Sequence, residues 1–268
     1  MNNKVVVITG ASSGIGRSCA LRFAEAGAKV VIAARTKEKL REVEEQIKKN
    51  GGDVLMISAD VSSELDCKFL IDHTVSHFGG IDILINNAGI SMRALFKDAD
   101  LKVLKNLMQV NFWGMVYCTK YALPHLLKSQ GSVVGISSIA GYIGLPARTG
   151  YSASKAAMHG FLNSLRTETR TEGLHVMIAC PGFTASNIRK VALKADGSAQ
   201  GESPLEEGKI MQPEVVADHI FKGVEKRKKE IVLTKEGKLS VFMNKWLPGF
   251  VEKKVFQMMQ KEPDSPLK

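Results

Sequence analysis

Seven short apolar runs punctuate this sequence, near residues 4–8, 29–34, 53–59, 81–86, 131–137, 175–180 and 230–233. Runs such as V-V-V-I and I-L-I lack polar alternation. Strands of that kind must be covered on both faces, which is the condition of a parallel sheet between two helical layers. Helical patterns fill the gaps, at 14–27, 37–50, 101–127 and 151–170, the first ending at Gly27 and the second at Asn50-Gly51-Gly52. Strand and helix in regular alternation specify an α/β fold, a doubly wound parallel sheet of seven strands that binds its ligand where the strand order reverses. With 268 residues, 44% of them hydrophobic, the chain can fill one such core. Residues 1–234 supply it as a single domain, and residues 235–268 follow as a C-terminal helical extension that the sheet itself does not need.

The first strand runs into T-G-A-S-S-G-I-G at 9–16, and a helix follows. In that context Gly10 permits a tight turn, Gly14 lets the backbone approach a pyrophosphate, and Gly16 allows close packing. The helix N-terminus favours the anion. Ser12, Ser13 and Ile15 stand within the same loop, able to add hydroxyl or amide contacts. At the end of the second strand an acidic residue would hold ribose hydroxyls, but the chain reads A-A-R-T, with Ala34 there and Arg35 next. A guanidinium pairs with phosphate through parallel hydrogen bonds. Arg35, helped by Thr36, therefore points to NADP(H), whereas a helix-opening role for Arg35 leaves the missing acid unexplained.

Tyr151 and Lys155 lie in Y-S-A-S-K, four residues apart on one helix face, so the ammonium can stand beside the phenol and lower its pKa. Ser138 closes the run G-S-V-V-G-I-S-S, which places its hydroxyl at a strand's carboxyl end, facing the crevice. A Y-x-x-x-K pair alone is commonly a solvated helix face, and a strand-end serine is commonly a turn residue. The glycine loop, the serine and the pair in this order describe a hydride-transfer site.

From about Lys4 to Thr234 the chain resembles the short-chain dehydrogenase/reductase family and its Rossmann fold. N-N-A-G at 86–89, Asn111 inside a helix, and P-G at 181–182 fall where that family has them. The resemblance implies that Ser138 polarises a carbonyl, Tyr151 exchanges a proton with its oxygen, and Lys155 holds the cofactor ribose. It further implies that Asn111 distorts its helix and supports the proton relay. Asp60 and Val61 would hold the adenine, Asn87, Ala88 and Gly89 would line the cofactor, and Asn86 would steady the sheet. Pro181, Gly182, Thr184 and Ser186 would run along the nicotinamide, although Thr184 stands where Val or Ile is usual. The segment 184–211, polar and too long for a simple connection, reads as a substrate lid or a plain surface loop. The two long helices imply a homodimer or homotetramer.

A-R-T-K-E-K-L and the basic tail are similar to the branch containing NADP(H)-dependent hydroxysteroid dehydrogenases and lipid-ketone reductases. Small carbonyls and fatty-acyl intermediates stay open as substrates, and a redox-inactive nucleotide-binding scaffold or sensor is the rival from another class. Most of the net charge of +10 lies between Lys222 and Lys261, without a recognisable nucleic-acid motif. The N-terminus enters the first strand without a signal-peptide pattern, and no apolar run reaches membrane-spanning length. Four cysteines lack a C-x-x-C and the six histidines are scattered through the chain, so reduced core thiols, a cytoplasmic protein and no metal site are expected. In the tail Leu239, Phe242, Met243, Trp246 and Leu247 recur at helical spacing before Pro248. That face packs on the domain or on a second subunit, or it lies peripherally on anionic lipid.

Overall fold

Each of the seven apolar runs forms a strand in the computed structural model, which describes residues 1–203 and 210–268. The strands are β1 (Val5–Thr9), β2 (Lys29–Ala34), β3 (Asp53–Ser58), β4 (Ile83–Asn86), β5 (Ser132–Ile136), β6 (His175–Cys180) and β7 (Glu230–Val232). They pair in parallel throughout, in the order β3-β2-β1-β4-β5-β6-β7. The chain winds outward from β1 to β3, returns, and winds the other way from β4. The reversal therefore opens a crevice beyond the carboxyl ends of β1 and β4.

Successive strand residues point to opposite faces, and both faces are covered. Val6, Ile8, Val30 and Ile32 meet α1 (Gly14–Glu25), α2 (Lys37–Lys49) and α7 (Pro213–Glu225). Val5, Val7, Val31 and Ala33 meet α3 (Glu64–Phe78), α5 (Gly114–Lys128) and α6 (Thr149–Glu168). This two-sided burial is the reason the runs lack polar alternation. All four cysteines are buried and unpaired within these layers.

Boundaries shift where side chains intervene. The fourth strand starts at Ile83 rather than at 81, because the Asp82 carboxylate accepts from the Val5 amide at 2.9 Å and from Lys4 Nζ at 2.7 Å. The expected helix 101–127 is α4 (Leu101–Leu107), a π-helical turn (Met108–Trp113) and α5 in unbroken succession. Asn111 sits in that wider turn, the local distortion that a functional residue inside a helix commonly accompanies.

After β6 the described part of the long connection is tied down. Leu193 bridges Met92 and Ala199, and Thr184 bridges Met211. Residues 204–209 of the expected lid lie outside the described residues. The tail forms α8 (Lys235–Trp246) and α9 (Pro248–Gln260), which turn on Leu247 and Pro248 and pack against each other. Far from standing apart, the pair contributes to the wall of the crevice. Among the described residues no helix is long and apolar enough to cross a membrane.

Candidate active site

The turn after β1 is built around contacts that admit no side chain. Gly10 has φ +64°, and a Cβ there would lie 2.8 Å from Ala88 Cα. A Cβ on Gly16 would lie 2.3 Å from the Gly10 carbonyl oxygen and 2.4 Å from Asn87 Nδ2. Thr9, which the motif reading passed over, locks the two sides of the crevice together. Its Oγ1 accepts from the Asn87 and Ala88 amides, both at 3.1 Å, while Asn87 Nδ2 donates to the carbonyls of Thr9 at 2.9 Å and Gly10 at 3.1 Å. At the start of α1, Ser13 makes no side-chain cap. The first-turn amides thus keep their anion-binding potential.

From this turn a cleft of about 1100 Å³ extends across the carboxyl ends of the strands. Arg35 and Thr36, both exposed, line one end with Asp60 and Val61. Asp60 Oδ1 accepts from the Ser62 amide at 2.9 Å and hydroxyl at 2.8 Å, which fixes the loop beneath. Ser12, Ser13, Gly14, Ile15, Asn87, Ala88 and Gly89 form the middle, and Ser138, Tyr151, Lys155, Pro181, Gly182, Thr184 and Ser186 the far end. Gly16 and Asn111 lie behind the wall. A glycine cradle, an uncapped helix terminus and a cleft of this volume fit a dinucleotide.

Ser138 follows β5 by two residues and caps a short 3₁₀ turn (Ile139–Gly141), its Oγ accepting from the Ala140 amide at 3.2 Å. Lys155 is buried on α6, with Nζ 5.8 Å from the centre of the Tyr151 ring. Lys155 Nζ has a hydrogen-bond partner other than the phenol. Nζ donates to the Ile136 carbonyl at 2.8 Å, and burial lowers the lysine's own pKa to about 8. Burial raises the Tyr151 pKa, opposed first by a hydrogen bond with Ser138 and then by the charges of Arg148 and Arg189. Serine and arginines temper the phenol in this arrangement.

Asn111 acts on the backbone after N-N-A-G. Its Oδ1 accepts from the Ile90 amide at 2.8 Å, and its Nδ2 donates to the Ile90 carbonyl and to Ser154 Oγ, each at 2.9 Å. Asn86 is buried and donates to Thr119 Oγ1 at 3.1 Å, which joins β4 to α5 in the sheet-steadying role implied for it. Thr184 is also buried, with its hydroxyl donating to the Gly182 carbonyl at 3.1 Å.

Sequence reasoning missed much of the far wall. Ile139, Phe183, Val255, Met258 and Glu262 line the cleft, as does Arg148, three residues before Tyr151. Only the place of Arg148 next to the Y-x-x-x-K motif offered a signal; the tail residues are brought in by a turn of chain no local pattern encodes.

Comparison with known proteins places the chain among relatives of defined kinship. Its fold is similar to that of the alcohol dehydrogenase of the archaeon Thermococcus sibiricus complexed with 5-hydroxy-NADP, with a TM-score of 0.78 over 87% of this chain and 96% of that one. At 21% identity that likeness speaks for the fold alone. The 11-beta-hydroxysteroid dehydrogenase-like 2 of Arabidopsis thaliana is 45% identical over 190 residues, 70% of this chain. The 11-beta-hydroxysteroid dehydrogenase A of Arachis hypogaea is 44% identical over 206 residues, 76% of this chain. This chain spans only 61% and 58% of the lengths of those two plant proteins. Mouse dehydrogenase/reductase SDR family member 7B is 34% identical over 99% of this chain and 84% of its own length. Residues 4–196 match the short chain dehydrogenase profile, and the chain belongs to that family of oxidoreductases.

Proposed function

We propose that the protein is an NADP(H)-dependent oxidoreductase that interconverts a ketone and a secondary alcohol, with an apolar, steroid- or lipid-like substrate. The observation that carries this reading is the convergence of Ser138, Tyr151 and Lys155 at one end of a cleft whose middle is a glycine cradle. The nicotinamide, when bound, supplies or accepts the hydride. Ser138 Oγ hydrogen-bonds the substrate oxygen, and Tyr151 gives it a proton or takes one away. Lys155 holds a ribose hydroxyl and favours the phenolate by its charge. Asn111 keeps the Ile90 backbone and Ser154 in register behind this pair and supports the proton relay. Ile139, Ile143, Leu145, Phe183, Val255 and Met258 give the substrate end an apolar wall, which suits a hydrocarbon body better than a small polar carbonyl. The names of the plant relatives point the same way.

A screen of NADPH oxidation across steroids, retinals, long-chain ketones and small diketones tests the reading. Turnover confined to small diketones would overturn the apolar assignment. Tight NADPH binding without oxidation by any carbonyl would favour the sensor. The cofactor preference rests on Ala34 and the exposed Arg35 at the cleft's rim. NADPH is expected to bind more tightly than NADH by about 1–3 kcal/mol, the worth of charge-assisted hydrogen bonds to a phosphate. Arg35→Ala should erase most of that difference in a fluorescence titration, and equal affinities in the wild type would refute the assignment.

The tail supports a second reading, a peripheral membrane contact. Packing of its apolar face on the chain's own domain does not occur: Phe242 is 63% exposed and Trp246 74%, with Leu239, Leu247 and Phe250 also in the open and Met243 half-buried. Exposed lysines at 235, 238, 245, 253 and 254 accompany them. Bulky apolar groups among cations match an anionic headgroup boundary. The full chain is expected to float with anionic vesicles, and a chain ending at Lys238 is expected to stay behind. Equal and negligible flotation of both would leave a second subunit as the cover, in keeping with the dimer or tetramer the family implies.

A further inference from the structure

Two arginines and one glutamate from distant parts of the chain meet beside the cleft. Glu262, two residues past α9, is only 8% exposed. Arg148 Nη2 donates to both of its carboxylate oxygens, at 3.0 and 2.9 Å, and Arg93 Nη2 lies 3.3 Å from Oε2. Arg93 also donates to the Pro263 carbonyl, and its Nε is buried without a hydrogen-bond partner. One carboxylate thus answers two partly buried guanidinium groups. Arg148 Nη2 spans both carboxylate oxygens, which fixes the orientation of the carboxylate as well as its distance.

The location of the clasp gives it a consequence for chemistry. Arg148 immediately precedes α6, three residues before Tyr151. Its neighbour Ala147 has φ +59°, a left-handed conformation that a residue with a Cβ adopts only under constraint. The constraints are visible. The Ala94 amide donates to the Ala147 carbonyl at 3.0 Å, the Leu145 amide donates to Ser152 Oγ at 3.1 Å, and Arg148 is anchored on Glu262. Val255, Met258 and Glu262 close the same side of the cleft. The family profile ends at residue 196, so the general pattern of the family does not account for the clasp.

We propose that Glu262 is a positioning residue: its grip on Arg148 and Arg93 holds the turn at Ala147 and the first turn of α6, so that Tyr151 meets the substrate in a productive pose while the tail seals the cleft. This inference rests on the hydride-transfer reading above. It is tested on the full chain with Glu262→Gln, which keeps the volume and removes the charge, beside Glu262→Asp and the wild type. Amide hydrogen exchange over residues 143–152 needs no turnover. Steady-state kinetics use the ketone most active in the NADPH screen, with sites counted by NADPH titration.

Glu262→Gln is expected to raise exchange in that segment on the order of tenfold, as local opening becomes easier. It should lower kcat by on the order of 10- to 100-fold, the scale of a small misplacement of a reacting group. NADPH affinity should stay within about twofold of wild type, since the clasp lies away from the cradle. Glu262→Asp should restore part of both losses. Wild-type exchange in the Gln variant overturns the proposal, as does raised exchange with unchanged kcat per site, which would make the clasp a tail anchor only. A wild type that turns over no carbonyl would sink the hydride-transfer reading, while exchange would still decide whether Glu262 holds the turn. Arg148→Lys keeps both charges but exchanges the planar guanidinium for a compact ammonium on a flexible stem. It is the milder variant if the Gln form does not fold, and it should move both readouts in the same direction.

Discussion

Replacing Tyr151 with Phe is expected to leave a folded protein that binds NADPH as before and reduces its ketone about 10²–10⁴-fold more slowly. The substitution removes one hydroxyl and preserves the ring, which is half-buried on α6. Loss of the proton donor alone acts on the step in which the substrate oxygen gains its proton, so kcat should fall while cofactor affinity stays. The phenol is pushed up by burial and held back by Ser138, Arg148 and Arg189. Ser138→Ala should accordingly move any activity limb due to Tyr151 to higher pH, because it removes the largest influence that lowers that pKa. Near-normal turnover by the Phe variant, measured with the ketone most active in the screen, would rule out the proposed mechanism.

Lys155→Met should separate stability from activity. Lys155 is 4% exposed, and its ammonium is met by the Ile136 carbonyl and by the Met158 sulfur at 3.5 Å. A buried charge so sparsely compensated is commonly replaced by a hydrophobe of similar shape at no loss, or with a gain of about 1–4 kcal/mol. Turnover should nonetheless drop at least ~10²-fold, since the cation beside the phenol and the ribose contact both disappear. The sign of the pH dependence follows from the depressed lysine pKa, about 8 against an ordinary 10.5. Between those values the unfolded chain still binds a proton that the folded one has released, so the wild type gains stability as pH rises. The Met variant lacks that gain. Urea melts at pH 7.5 and 10 would show its advantage shrinking, and an advantage that grows with pH would contradict the burial argument.

What could be read from the sequence were features whose cause is local. Apolar runs without alternation became the strands of a sheet covered on both faces. The glycine loop announced its own geometry because Gly10 and Gly16 occupy places where any Cβ would collide. The helix at Asn111 carries a π-turn because its amide side chain reaches out to Ile90 and Ser154. Features created by chain return were not legible. Helical spacing put Lys155 beside Tyr151 correctly, but it could not reveal that the Ile136 carbonyl, from β5, would claim the ammonium. Likewise no periodicity in residues 235–268 marks Glu262 as the partner of Arg93 and Arg148. Its role depends on where α9 delivers it.

The four cysteines give the molecule an internal reporter of its own opening. Cys19 lies between the sheet and the α1, α2, α7 layer, while Cys67, Cys118 and Cys180 lie on the opposite side. Each is inaccessible, and burial pushes the Cys19 and Cys180 thiols up to about 12, so the reactive thiolate is scarce as well as hidden. Alkylation therefore waits on exposure of a layer. Mass spectrometry that resolves Cys19 from the other three reads the loosening of each half of the sandwich separately, and the order of modification traces which layer parts from the sheet first.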